Sequence, residues 1–183
     1  MGILKKVVII IVSIVAIMII ALVVFLEIVG GGFIFLVPNY NKMDKVLKAN
    51  IDNLSFVIET LSQIDHNYVE IRVNPLPLPK EDKYSMSFSN GLGREVMSIP
   101  FELLEPVERL DNSGIQVISS GRNSASFSLW SSLSESRGII YSKNGETPWS
   151  PQYIDVRQLS VENWYYYVNN FEKARARNPH LFQ

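Results

Sequence analysis

The hydrophobic pattern of the chain begins with one long run. From Val7 to Leu26 it reads "VVIIIVSIVAIMIIALVVFL", with Ser13 the only polar side chain. A helix of that length extends about 30 Å, the thickness of a bilayer's hydrocarbon core. β-branched residues are weak helix formers in water, but backbone in lipid must satisfy its own hydrogen bonds, so a helix is still expected. A cleaved signal peptide has a shorter apolar core and a small-x-small cleavage site, whereas here Glu27 and bulky neighbours follow. The pattern therefore predicts a short basic N-terminus over 1–6 and a retained transmembrane anchor over 7–29. A Gly-rich, apolar juxtamembrane linker follows over 30–40, in which Gly30–Gly32 break the helix and Pro38 ends the segment. The lysines flanking the run are nearly balanced, Lys5 and Lys6 against Lys42, Lys45 and Lys48. A very short basic N-terminus directly on the apolar run favours a cytoplasmic N-terminus and an extracytoplasmic C-terminal domain.

The pattern then changes period. Apolar side chains at Tyr40, Met43, Leu47, Ile51, Leu54, Ile58 and Leu61 recur in steps of mostly three and four, which places them on one helical stripe. A helix over 41–65, about 37 Å long, is predicted, with Asn41 and Asp44 as an N-cap pair and Asp44 within reach of Lys48. A stripe of this kind docks on a sheet or pairs with a second copy. The short heptad run without an e/g charge code favours docking.

Beyond this helix the period becomes two. "YVEIRV" (68–73), "YSMSFS" (84–89) and "SASFSLW" (124–130) alternate, "RGIIYS" (137–142) comes next as a strand, and "REVMSI" (94–99) follows the turn signal "NGLG". "GIQVIS" (114–119) and "NWYYYV" (163–168) are further strand candidates, the latter apolar on both faces. Pro100 and Pro106 predict two short helical pieces within 100–112. "KNGETPWSP" reads as a polar loop, and 169–183 as a tail or short helix. The expected class is α+β. An N-terminal transmembrane helix precedes a long amphipathic helix packed on an antiparallel sheet of about five to seven strands, the folded domain spanning 41–168 with serines on its wet face.

The order of apolar helix, amphipathic continuation and antiparallel sheet resembles the plan of pilin-like proteins. Here, however, "GILKKVV" carries lysines where that plan has an acid, no acid follows Gly32-Phe33, and Pro38 interrupts the helix. The chain is not assigned to that family.

Composition removes several chemistries. There are no cysteines, which excludes a disulfide scaffold, thiol catalysis and cysteine-ligated zinc. Histidine occurs only at 66 and 180. Asp65, His66 and Glu70 are metal-ligating types, but a helix-to-strand junction does not fix their geometry, so no metal is assigned. Glu102, Glu105 and Glu108 recur every three residues, the spacing of a solvated helical edge. No G-x-S-x-G, S-x-x-K or phosphate-loop motif is present. No catalytic residue or cofactor is assigned, and a non-enzymatic role is expected.

Charge bears on partners. After Pro38 there are 15 Lys and Arg against 17 Asp and Glu, so the domain is slightly acidic and no nucleic-acid partner is expected. Trp164–Tyr167 with the later Lys173, Arg175 and Arg177 form the most aromatic stretch, and Tyr, Trp and Arg dominate binding energetics at protein interfaces. Trp149, Trp130, Trp164, Tyr165, Tyr167 and Arg175 are the candidate protein-binding residues. The expected partners are the bilayer, through 7–29, and a protein that an adaptor, inhibitor or immunity-type domain would bind. The alternatives are a small-ligand or hydrolytic site on the serine face, or self-assembly through helix 41–65.

Overall fold

The computed structural model describes residues 12–15, 17–19, 21–22, 37–64, 67–74, 80–89, 93–132 and 134–182. The chain divides into two units, Met1–Val37 and Pro38–Gln183. In the first unit the described residues between 12 and 22 are helical and exposed, and Val12, Ile14, Ile17 and Met18 all present their apolar side chains outward. No helix among the described residues is long and apolar enough to cross a membrane. The greater part of the expected anchor and all of residues 30–36 lie outside the described residues.

The second unit opens with helix α1, Tyr40–Ser62. Pro38 cannot continue a helix, and Asn39, in extended conformation, caps α1: its Oδ1 accepts from the Lys42 N–H at 3.0 Å. The cap is thus two residues earlier than the expected Asn41, and Asp44 is free for another task. The buried face of α1 contains Met43, Leu47, Leu54, Val57, Ile58 and Leu61, together with Asn50. Asn50 is tolerated there because Nδ2 donates to the Val46 carbonyl at 2.9 Å and Oδ1 accepts from Ser113 Oγ at 3.0 Å.

Among the described residues eight strands follow, more than the five to seven expected. They are β1 (Tyr68–Val73), β2 (Tyr84–Ser89), β3 (Arg94–Met97), β4 (Val117–Gly121), β5 (Ser124–Ser131), β6 (Glu135–Ser142), β7 (Tyr153–Gln158) and β8 (Trp164–Asn170). They form one antiparallel sheet in the order β3-β2-β1-β4-β5-β6-β8-β7. Helix α2 (Lys80–Lys83) precedes β2, and α3 (Phe101–Asn112) joins β3 to β4. Helix α4 (Phe171–Arg177) follows β8 and leads into a 3-10 turn over Pro179–Phe182.

The pairing register carries the two faces across the sheet. Met97, Met86, Ile71, Ile118, Phe127, Ile139 and Tyr166 lie side by side on the face that packs against the helices. One residue along each strand, Val96, Ser87, Glu70, Ser119, Ser126, Ile140 and Tyr165 lie side by side on the opposite face. Strand side chains alternate faces, so this register separates an apolar face from a serine face. The serine face is only partly wet, since Ser87 and Ser128 are buried.

Three further expectations are corrected. Residues 101–112 form one helix with Pro106 inside it rather than two pieces. A proline there removes one helical bond, at about 3 kcal/mol, which the burial of Leu103, Val107 and Leu110 on the core side offsets. The fourth strand starts at Val117, not Gly114. Gly114 has φ +90° and closes the end of α3, its N–H bonding the Asp111 carbonyl at 2.7 Å while Ile115 N–H bonds Leu110 at 3.1 Å. The additional strand, β7, was hidden because its register shifts between Tyr153 and Asp155, which breaks the two-residue period.

Candidate binding cleft on the serine face

Strands β6 and β7 are joined by a loop, residues 143–152, that folds back over the serine face. Its path is set by side-chain bonds at its start. Asn144 Oδ1 accepts from Ser142 Oγ at 2.9 Å and from the Glu146 N–H at 3.2 Å, and Asn144 Nδ2 donates to Glu146 Oε2 at 2.9 Å. Between them Gly145 takes φ +76°, a left-handed conformation that glycine adopts without penalty. The far end is fixed by Ser150, whose carbonyl accepts from Tyr153 N–H at 3.0 Å and whose Oγ accepts from Gln152 N–H at 3.3 Å.

Lys143 straps the loop's base to the β4–β5 hairpin. Its N–H bonds the Asn123 carbonyl at 2.8 Å, and Nζ donates to the Gly121 carbonyl at 2.8 Å and to Ser120 Oγ at 3.1 Å. Partial burial against these neutral acceptors holds the ammonium pKa below its ordinary value.

Loop and sheet enclose a cleft of about 200 Å³. Its floor is Ser124, Ile140 and Ser142, and its polar wall is Asn123, Asn144, Glu146 and Thr147. Pro148, Trp149 and Tyr153 form the remaining wall. Trp149 is 77% exposed, the most exposed aromatic ring apart from Phe101 among the described large hydrophobic residues.

The sequence candidates separate at this point. Trp149 lies in the cleft wall. Trp164 belongs to the core, where its ring centroid is 5.9 Å from Phe127 and 5.0 Å from Tyr141. Tyr165 and Tyr167 are buried with Ile140 on the serine face, under Tyr153 and Val156. Tyr153 stacks at 5.5 Å on Tyr167. Burial drives the Tyr167 phenol well above its ordinary pKa, against the hydroxyls of Ser128 and Ser136 that bond it. Trp130 is half-buried beneath the Arg137 guanidinium, 6.0 Å from its ring, and its Nε1 has no acceptor among the described residues. Arg175 is exposed on α4. The four aromatics in a row therefore serve the two faces of β8, and the exposed ring is the isolated one between prolines.

Sequence reasoning missed the polar wall. Glu146 and Asn144 carry no motif, and only the coincidence of "NG" with a proline-flanked Trp signalled a structured loop.

A second polar group occupies the serine face on β1. Glu70, 8% exposed, accepts from Tyr68 OH at 3.0 Å and from Arg72 Nε at 2.6 Å, and Tyr68 OH shares a bond with Ser119 Oγ at 3.1 Å. Burial raises the Tyr68 phenol pKa. His180 is exposed in the C-terminal turn, and His66 lies outside the described residues. No cluster of metal-ligating side chains occurs among the described residues.

The chain matches no protein-family model, no curated protein and no solved structure.

Proposed function

We propose that this chain is a membrane-tethered binding module, its 7–29 segment spanning the bilayer and its 38–183 unit held outside the cytoplasm to engage a protein partner through the cleft beside Trp149. The observation that carries the reading is a single large aromatic ring, 77% exposed, at the edge of a preformed polar cleft. An exposed Trp beside a depression is the geometry of an interface anchor. The tether rests on the apolar run from Val7 to Leu26, with Ser13 its one polar residue, and on the outward apolar side chains of its described helical residues.

Size favours a protein side chain over a small ligand. Pockets for cofactors and drug-sized molecules enclose about 300–1,000 Å³, and this cleft encloses about 200 Å³. It suits one inserted side chain. Self-assembly through the α1 stripe is disfavoured, because Leu47 and Leu54 are fully buried within the chain's own unit.

The test is site-specific crosslinking in native membranes. A photoreactive amino acid is placed at Trp149 of the full chain, with a control at Glu59, which is exposed on α1. A discrete protein adduct is expected from position 149 and none from 59. Equal labelling at both positions, or no protein adduct at 149, overturns the reading. A reporter fused after Gln183 tests the topology, and cytosolic activity of that reporter rejects the extracytoplasmic placement.

A further inference from the structure

Resting on that reading, we propose that the cleft receives a basic side chain of the partner, an arginine, with Glu146 as its counter-ion and Trp149 as its stacking wall. The polar wall has a single charged group, the Glu146 carboxylate. Ser142 donates to Asn144, and Asn144 donates to Glu146 Oε2, so the chain of bonds ends on a carboxylate. An ionised carboxylate accepts at about four positions. The hydrogen bond from Asn144 uses one of them.

Glu146 has no cationic partner among the described residues. Lys143, which begins the same loop, has its Nζ on the Gly121 carbonyl and Ser120 Oγ. The cleft thus has one carboxylate and no cation among its lining residues. An acidic side chain would meet like charge there, and an apolar one would strip water from Glu146 and Asn144 without replacing its bonds. A cation satisfies both. Arginine is favoured over lysine because its planar fork pairs with a carboxylate while its face stacks on an indole. Trp149, Pro148 and Glu146 line the same cleft and supply these two contacts.

The test uses the full chain in lipid nanodiscs with 5-fluorotryptophan at its three Trp positions. N-acetylarginine amide is titrated against the uncharged N-acetylcitrulline amide of nearly the same shape. The Trp149 fluorine resonance is expected to move saturably with the arginine probe and about tenfold more weakly with citrulline, while the Trp130 and Trp164 resonances stay in place. Glu146→Gln is expected to erase the difference between probes. Equal response to both probes, no response at Trp149, or a difference that survives in Glu146→Gln overturns the proposal. Crosslinking separates this from the broader reading. A position-149 adduct without an arginine response refutes the arginine assignment and leaves protein binding in place. An arginine response without an adduct supports the guanidinium site and refutes the protein-partner reading.

Discussion

Asp44, in the second turn of α1, accepts two bonds from Ser160 in the β7–β8 connection, one from its N–H at 2.9 Å and one from its hydroxyl at 2.6 Å. The two residues are 116 positions apart, so this pair ties the first helix of the unit to the strand pair at the sheet's far edge. Lys48 adds an ion pair to Asp44 at 2.8 Å.

These contacts lower the Asp44 carboxyl to about 2, the Lys48 and Ser160 bonds outweighing the opposing effect of burial. An aspartate is unperturbed near 3.9, roughly its unfolded value. A group whose folded pKa is depressed adds stability above its unfolded pKa and loses it as pH falls through the folded one. Asp44→Ala is expected to lower stability by about 1–2 kcal/mol at pH 7, the scale of charge-assisted bonds. The gap from wild type should shrink between pH 4 and pH 2 in urea titrations. A gap independent of pH would mean that the Ser160 bonds do not depend on the carboxylate charge.

Gly138 gives a backbone prediction. It pairs with Ser128 and Tyr167 beside the register shift at Ser128/Trp130. A Cβ at this position would lie 2.1 Å from the Phe127 carbonyl oxygen, which no rotamer change can relieve. Gly138→Ala is expected to cost more than about 2 kcal/mol, as overpacking in an ordered core does. Gly93→Ala, where a Cβ meets nothing within 4 Å, serves as the control. Equal denaturation midpoints for the two variants would show that the Phe127 backbone yields.

Much of the fold was legible because the period of burial was legible. Met43, Leu47, Leu54, Ile58 and Leu61 were on the expected stripe, and Val69, Ile71, Met86, Phe88, Ala125 and Phe127 were on the expected strand faces. Asn50 was not, since its burial depends on Ser113, which only the tertiary fold brings near. β7 escaped because a register shift breaks alternation in "YIDVRQ". The site was less legible. Trp149 could be nominated from its flanking prolines, but the aromatic row of β8 looked equally promising until its rings proved buried. Glu146 has no sequence signature as a lone carboxylate in a polar loop, and only the fold brings it to the same cleft as Trp149.

The α1 stripe gives a test of architecture. Leu47 and Leu54 are fully buried, whereas Phe56 on the same helix is 43% exposed. Leu54→Ala is expected to cost about 2–5 kcal/mol without changing the oligomeric state of the folded protein. Phe56→Ala should stay within about 0.5 kcal/mol. Thermal unfolding with light scattering reads both quantities. Dissociation of an assembly by Leu54→Ala, with the unit still folded, would show that the stripe pairs copies.

Tyr167 predicts the alkaline limb. Its phenol is buried against Tyr153 and bonded by Ser128 and Ser136, and burial raises its pKa. Tyr68, Tyr84, Tyr153 and Tyr166 shift in the same direction, each with burial as the largest cause. A phenol that ionises less readily when folded leaves stability intact below its unfolded pKa of about 10 and erodes it above that value. Stability should therefore fall as pH rises past about 10. Tyr167→Phe should flatten part of that fall while lowering neutral-pH stability by about 1 kcal/mol for the lost hydroxyl bonds. Urea midpoints from pH 7 to 11 provide the measurement. An unchanged alkaline slope in Tyr167→Phe would assign that limb to the other tyrosines, since Lys143, whose ammonium pKa is depressed, acts in the opposite direction and adds stability as pH rises.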